Sequence, residues 1–285
     1  MPDILSVQHI SHIYSAGTPF ERAAIKDISL SVGEGEFVGL IGHTGSGKST
    51  LVQHFNGLLK PTSGTVLVDG QDIHASKEAT RAARFKVGLV FQYPEYQLFE
   101  ETIYKDIAFG PKNMKLDDAE IDRRVRTAIR QVGLSEDLLE GSPFDLSGGQ
   151  KRRVALAGVF AMEPRLLVLD EPMAGLDPVG REEIIECIRS YRETTGASIL
   201  FVTHSMEDAA RIADRLIVLN QGEVLMEGKP EEVFAHSEEL AAAGLDIPTV
   251  TRLFMELRAR GLELPESVYT VEYALKVLLR AKEGR

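Results

Sequence analysis

Residues 42–50 read Gly42-His43-Thr44-Gly45-Ser46-Gly47-Lys48-Ser49-Thr50 and come directly after the apolar run FVGLI. The spacing G-x-x-x-x-G-K-[ST] requires a buried strand before it and a helix after it, because the loop must wrap its backbone N–H groups around an anion. Glycines let successive N–H groups converge, and the helix start adds its positive end. Lys48 then reaches the β- and γ-phosphates of a nucleotide such as ATP, and the Ser49 hydroxyl offers an oxygen to Mg²⁺. Buried strands alternating with helices imply an α/β fold whose sheet is largely parallel.

Other polar groups sit at the ends of apolar runs. Asp170 and Glu171 follow LLVL. Two carboxylates at the end of a buried strand are costly unless a cation or hydrogen bonds receive them. The pair suits Asp170 in the shell of Mg²⁺ and Glu171 orienting or deprotonating an attacking water. His204 ends SILFVT, where its ring can point at a γ-phosphate; Gln92, just after KVGLVF, can place an amide near the metal and the water. Tyr14 offers a flat ring to adenine. A second glycine turn, Ser147-Gly148-Gly149-Gln150, opens another helix with no lysine placed as Lys48 is. Taken singly, these residues have ordinary readings: a solvated acidic pair, a core histidine, a turn tyrosine.

Up to residue 70 the chain reads as short strands separated by turns, an antiparallel section flanking the strand that feeds the loop. Asp117 caps a helix reaching Val132, with Ile121, Val125 and Ile129 on its apolar face. A helix capped by Ser147, the strand before Asp170, a helix over 180–194, SILFVT, a short helix from Met206 and a hairpin turning at Asn220-Gln221-Gly222 follow. Past Pro230 the pattern changes to two helices, near 248–260 and 271–282. In the second, Val271, Ala274, Leu275 and Leu278 form a stripe. The expected organisation is one domain over 1–235, with a helical subdomain at about 93–163, and a helical appendage over 236–285. The stripe is expected to pack on a partner or to act as a lid on its own core.

The chain has 285 residues, with 32 Lys and Arg against 43 Asp and Glu, a net charge of −11. That balance disfavours a duplex nucleic-acid partner. Cys187 is the single cysteine, which fits a reducing compartment and rules out an internal disulfide. The start, MPDILSVQHI, lacks the pattern of a secretory signal. The most apolar run, 154–162, is broken by Glu163-Pro164, far short of the roughly 20 residues a membrane helix needs. A membrane role is therefore expected through a partner, with the chain peripheral on the cytoplasmic face of the cell membrane.

In order along the chain, residues 42–50, Gln92, LSGGQ, LLVLDE, Gly175-Leu176-Asp177 and His204 resemble the motifs of ATP-binding-cassette (ABC) ATPases over about residues 3–235. Finer wording, including GTPFE, HFNGLLKPTSG, FQYPEYQLFEETIYKDIAFGPKN and LSGGQKRRVALAGVFAMEP, resembles the ATPase subunits of energy-coupling-factor transporters. It is closest to the second of their two ATPase types and similar to cobalt-importer ATPases.

The resemblance implies a P-loop fold with a mainly parallel core sheet, an antiparallel β-section, a helical subdomain and a C-terminal appendage. It further implies that ATP is sandwiched between two ATPase subunits. Ser147, Gly148, Gly149 and Gln150 of one would close on the γ-phosphate that Lys48 of the other holds. Asp177 would lie at the seam, and segment 92–109 would meet coupling helices of a membrane partner. The implied companions are a second ATPase, a transmembrane coupling protein and a small substrate-capturing membrane protein, with vitamins or transition-metal cations as cargo. Met173 stands where the family usually has a hydroxyl residue. The competing classes are the ATPase of another ABC importer, or a soluble cassette acting on nucleic acid or the ribosome. No sustained heptads separate the two glycine motifs and one cassette is present, which disfavours the soluble classes.

Overall fold

Every residue of the runs Phe37–Ile41, Leu166–Asp170 and Ser198–Thr203 is buried. Strands covered on both faces read as continuous apolar stretches rather than alternating ones, which is the signature of a parallel sheet between two layers. The computed structural model describes residues 2–265 and 268–283. The strands are β1 (Asp3–Tyr14), β2 (Arg22–Gly33), β3 (Phe37–Ile41), β4 (Ser63–Val68), β5 (Gln71–Asp72), β6 (Val87–Val90), β7 (Leu166–Asp170), β8 (Ser198–Thr203), β9 (Arg215–Asn220) and β10 (Glu223–Gly228). The helices are α1 (Lys48–Phe55), α2 (Lys77–Lys86), α3 (Ile103–Asn113), α4 (Asp118–Gln131), α5 (Gly148–Phe160), α6 (Pro178–Thr195), α7 (Met206–Ile212), α8 (Pro230–Ala235), α9 (Ser237–Ala242), α10 (Thr249–Ala259) and α11 (Val271–Glu283).

The larger sheet runs β10-β9-β3-β8-β7-β6; only the β9–β10 pair is antiparallel. The smaller sheet, β2-β1-β4-β5, is antiparallel throughout. This is the α/β cassette architecture expected, with an antiparallel section beside a mainly parallel core. One apolar cluster fills the space between the two sheets around α1, with Leu40, Leu51, Phe55 and Val168 among its members. A second joins the opposite face of the large sheet to α3, α4, α5 and α6 through Ile107, Val125, Phe160 and Tyr191.

Local signals fix the helix boundaries. Asp117 caps α4 by accepting from Glu120 N at 2.9 Å, and Asp177 caps α6 by accepting from Gly180 N at 2.7 Å. The β9–β10 turn places Gln221 and Gly222 at φ of 50° and 85°, the two positive values that a two-residue hairpin needs.

Past β10, Val233, Phe234, Leu240, Leu245 and Ile247 share a cluster with Ile41, Met206 and Val218, so this segment is built onto the end of the sheet. A small cluster of Phe254, Val268 and Ala274 holds α11. Of its expected stripe only Ala274 is buried; Val271, Leu275 and Leu278 face outward. Among the described residues no helix is long and apolar enough to cross a membrane.

Candidate active site

In the parallel register Ile41 lies opposite Thr203 and Asp170 opposite Val202, so β3, β7 and β8 end at one level. Everything past those ends converges on one crevice, the usual place for a ligand on an open α/β sheet. Gly42 follows β3, Gln92 lies just past β6, Asp170 and Glu171 end β7, and His204 follows β8.

The loop after β3 is set by glycines that no other residue could replace. A Cβ on Gly42 would stand 2.5 Å from Leu219 O. Gly47 adopts φ of 105° at the N-cap of α1, and a Cβ there would stand 2.6 Å from Ala24 O. The loop is thereby pinned to the β9–β10 turn, whose Gly222 N donates to Ser46 O at 3.0 Å. Lys48 is buried, and its Nζ donates to Gly42 O at 2.7 Å and His43 O at 3.0 Å, which holds the ammonium at the mouth of the loop. Burial pulls its pKa below the ordinary lysine value, while the carboxylates of Glu171 and Asp170 oppose that shift.

Asp170 is buried, and burial raises its carboxyl above the usual range. The Ser49 hydroxyl and the Lys48 charge counter that rise, whereas Glu171 adds to it. A buried carboxylate touching a hydroxyl supplies the hard oxygen donors that Mg²⁺ prefers, so these residues fit the ion. Glu171 adopts a positive φ of 48° and is fixed by its N–H donating to Val202 O at 3.0 Å. Its Oε2 accepts from Gln92 Nε2 at 3.3 Å and lies 3.0 Å from His204 Nδ1. One carboxylate oxygen thus meets both side chains, at the end of the strand whose Asp170 touches Ser49.

The crevice encloses about 640 Å³ and is lined by Tyr14, His43, Thr44, Gly45, Gly47, Lys48, Ser49, Thr50, Gln92, Glu171 and His204. Gly42, Ser46 and Asp170 are buried and are not part of that lining. Tyr14 is partly exposed, with its hydroxyl 3.2 Å from Thr50 Oγ1. Sequence reasoning missed Arg22, Ala24, Gln221 and Gly222, which also line the crevice. They arrive from β2 and the hairpin turn, and only the Gln-Gly turn carried any signal. A larger groove of about 950 Å³ lies among α8, α9 and α10 but holds neither the loop nor the paired acids.

Ser147, Gly148, Gly149, Gln150 and Asp177 are not in the crevice. Ser147 N donates to Gln150 Oε1 at 3.0 Å and Gln150 N donates to Ser147 Oγ at 3.3 Å, a reciprocal cap that opens α5. A Cβ on Gly148 or Gly149 would meet nothing within 4 Å. These glycines therefore answer no crowding within this chain, and the face they leave open is bare backbone at a helix start. Asp177 is exposed. Met173 is buried in the apolar cluster that also holds residues of α5 and α6.

Comparison with known proteins agrees with this geometry. The family model described as ABC transporter matches residues 25–174. The energy-coupling factor transporter ATP-binding protein EcfA2 of Clostridium perfringens is 54% identical over 96% of this chain and 97% of its own length. The protein of the same name from Symbiobacterium thermophilum is 54% identical over 97% and 96%. Among solved structures, cbiO1 of Clostridium perfringens, part of the ABC transporter complex cbiONQ, superposes with a TM-score of 0.76 at 40% identity. It covers 90% of this chain and all of that one. A dimeric ATP-binding cassette in a post-hydrolysis state with ADP and Pi gives a TM-score of 0.70 at 31% identity over 79% and 98%. With the phosphate loop, the paired carboxylates and the second glycine turn in place, the chain belongs to the ABC transporter family, among the ATP-binding proteins of energy-coupling factor transporters.

Proposed function

We propose that this ATPase subunit binds ATP at residues 42–50 and hydrolyses it with Glu171, Gln92 and His204, in a site that residues 147–150 of a second ATPase chain complete. The observation that carries this reading is the meeting of Gln92 and His204 on Glu171 Oε2, in the crevice that Lys48 enters. Lys48 would leave the loop carbonyls for the β- and γ-phosphates, and Tyr14 would stack on adenine. Ser49 and Asp170, with Gln92 nearby, would hold Mg²⁺, which when bound neutralises phosphate charge. Glu171 accepts a proton from the attacking water as its oxygen bonds to the γ-phosphorus. The bond to the β–γ bridging oxygen breaks at the same time, releasing ADP and phosphate. Gln92 and His204 fix the carboxylate's direction, and His204 faces the γ-phosphate.

The donors that Gly148 and Gly149 leave open suit the far side of that γ-phosphate, with Asp177 at the seam. We further propose docking on a transmembrane coupling protein through Tyr96, Phe99 and Phe109, which stay exposed beside a groove of about 350 Å³. The chain would then lie peripherally on the cytoplasmic face of the cell membrane. A substrate-capturing membrane protein would complete the assembly and choose the cargo, a vitamin or a transition-metal cation. The names of the relatives and the cbiONQ complex support this part of the reading. We place the domain limit near residue 235, with 93–163 as the helical subdomain.

Glu171→Gln tests the hydrolytic assignment. ATP binding should persist while turnover falls by roughly 10²–10⁴-fold, the worth of a general base. Near-normal turnover would overturn it.

A further inference from the structure

Arg152 lies one turn into α5, in a run of cations, Lys151-Arg152-Arg153, that reads as a solvated face. Instead its side chain is only 3% exposed. Nε and Nη2 donate to the two carboxylate oxygens of Glu95 at 2.9 and 2.6 Å. Nη1 donates to Pro172 O at 3.1 Å and Ala174 O at 2.8 Å. The guanidinium carbon also sits 5.8 Å from the centroid of the Tyr93 ring. Tyr93 adjoins Gln92 and Pro172 adjoins Glu171. One buried cation therefore fastens α5, the signature helix that Ser147 to Gln150 open, to two of the three segments that carry the hydrolytic side chains, those of Gln92 and Glu171. Its neighbour Arg153 makes a different contact, pairing with Glu183 on α6 at 2.6 Å.

A buried charge persists only when its donors are received, and the planar fork of arginine fixes direction as well as distance. The two carbonyls and the carboxylate can all be satisfied only when α5, the turn after Gln92 and the turn after Glu171 stand in one arrangement. We infer that Arg152 is a positioning residue that makes the placement of the signature helix, Gln92 and Glu171 a single setting. This rests on the two-chain site described above. There the signature of one chain closes on its partner's nucleotide, so Arg152 also ties the state of that site to the hydrolytic groups of its own. Glu95 is correspondingly turned inward, whereas Tyr96 beside it is exposed.

The test uses the chain purified with the partner subunits that accompany it. Turnover is counted per nucleotide-binding site, with KM for ATP, affinity for a fluorescent ATP analogue and Tm measured beside it. Arg152→Gln should lower kcat by roughly 10- to 100-fold, the effect of a small misplacement of reacting groups, while KM and analogue affinity stay within about threefold because the Lys48 loop is intact. Arg152→Lys keeps the charge on Glu95 and should recover part of kcat. Glu95→Gln, which keeps the shape and removes the charge, should lower kcat with KM unmoved, and it answers the question even if Arg152→Gln does not fold. The inference is overturned if kcat per site is unchanged in these variants, or if kcat and nucleotide affinity fall together. Glu171→Gln measured in parallel separates the two ideas. Normal turnover there removes the hydrolytic reading and this inference with it, whereas low turnover there with normal turnover in the Arg152 and Glu95 variants removes only the role of Arg152.

Discussion

His54 is fully buried near the end of α1, away from the reacting groups. Its Nδ1 donates to Thr50 O at 2.7 Å, which leaves Nε2 to accept from His12 Nδ1 at 3.1 Å. Burial pushes its pKa down to about 4; the Thr50 carbonyl opposes the shift, and His12 and His74 add to it. The folded chain therefore keeps His54 neutral at a pH where the unfolded chain, with an ordinary pKa near 6.5, takes up a proton. Because the folded value lies below the unfolded one, this contribution is complete above about pH 6.5. It is lost progressively as pH falls toward 4 and amounts to on the order of 3 kcal/mol. His54→Gln should flatten the acid limb of stability over that window, as measured by urea unfolding at several pH values. An unchanged limb would contradict the assignment. Nothing around His54 in the sequence foretells this, because the His12 that meets it on β1 is 42 positions away. The phosphate loop was legible for the opposite reason: every requirement it meets lies within nine consecutive residues. The burial of Arg152 was not legible, since its partner Glu95 is 57 positions away and adjacent cations usually face water.

At the level of elements, periodicity located α4, α6 and α10 to within two residues, because caps and apolar spacing are local. It said little about where α11 would face. Val271, Leu275 and Leu279 are 64%, 57% and 51% exposed, a row one turn apart on one helix. Exposed apolar rows of this kind mark interaction surfaces, and the second ATPase subunit is the occupant we expect. Replacing all three by Ser or Gln should leave the fold intact, because exposed substitutions typically move stability by less than about 0.5 kcal/mol each. Association without nucleotide should weaken by roughly tenfold or more, about 1.4 kcal/mol, which sedimentation velocity would register. Equal association of variant and parent would leave α11 as a lid. Cutting the chain at residue 240 would be a poor substitute, since Leu240, Leu245 and Ile247 belong to the cluster that contains Ile41 and Met206.

At the scale of the molecule, the phosphate loop and the second glycine turn lie on separate surfaces of the chain, the two half-sites of our proposal. Gln92, Glu171 and His204 meet Lys48 in one crevice, while a Cβ on Gly148 or Gly149 would meet nothing within 4 Å. The order of these motifs was legible from the sequence. Their separation was implied by the family resemblance alone; which side chains share the crevice needed the fold, because only the sheet register shows which strand ends lie at one level. The most direct test mixes two damaged chains. Lys48→Ala removes the phosphate lysine, and Gly149→Asp places a carboxylate where the γ-phosphate needs donors, a like-charge clash in a dry site. With a homodimer, each variant alone should be inactive, because every site contains one damaged half. Mixed dimers should hold one doubly damaged and one intact site. With a heterodimer, the lesions are divided between this chain and its partner, so that one site is again spared. ATP turnover should return in proportion to the mixed or divided species. No return of turnover, with exchange between chains demonstrated, would contradict an active site built from two subunits.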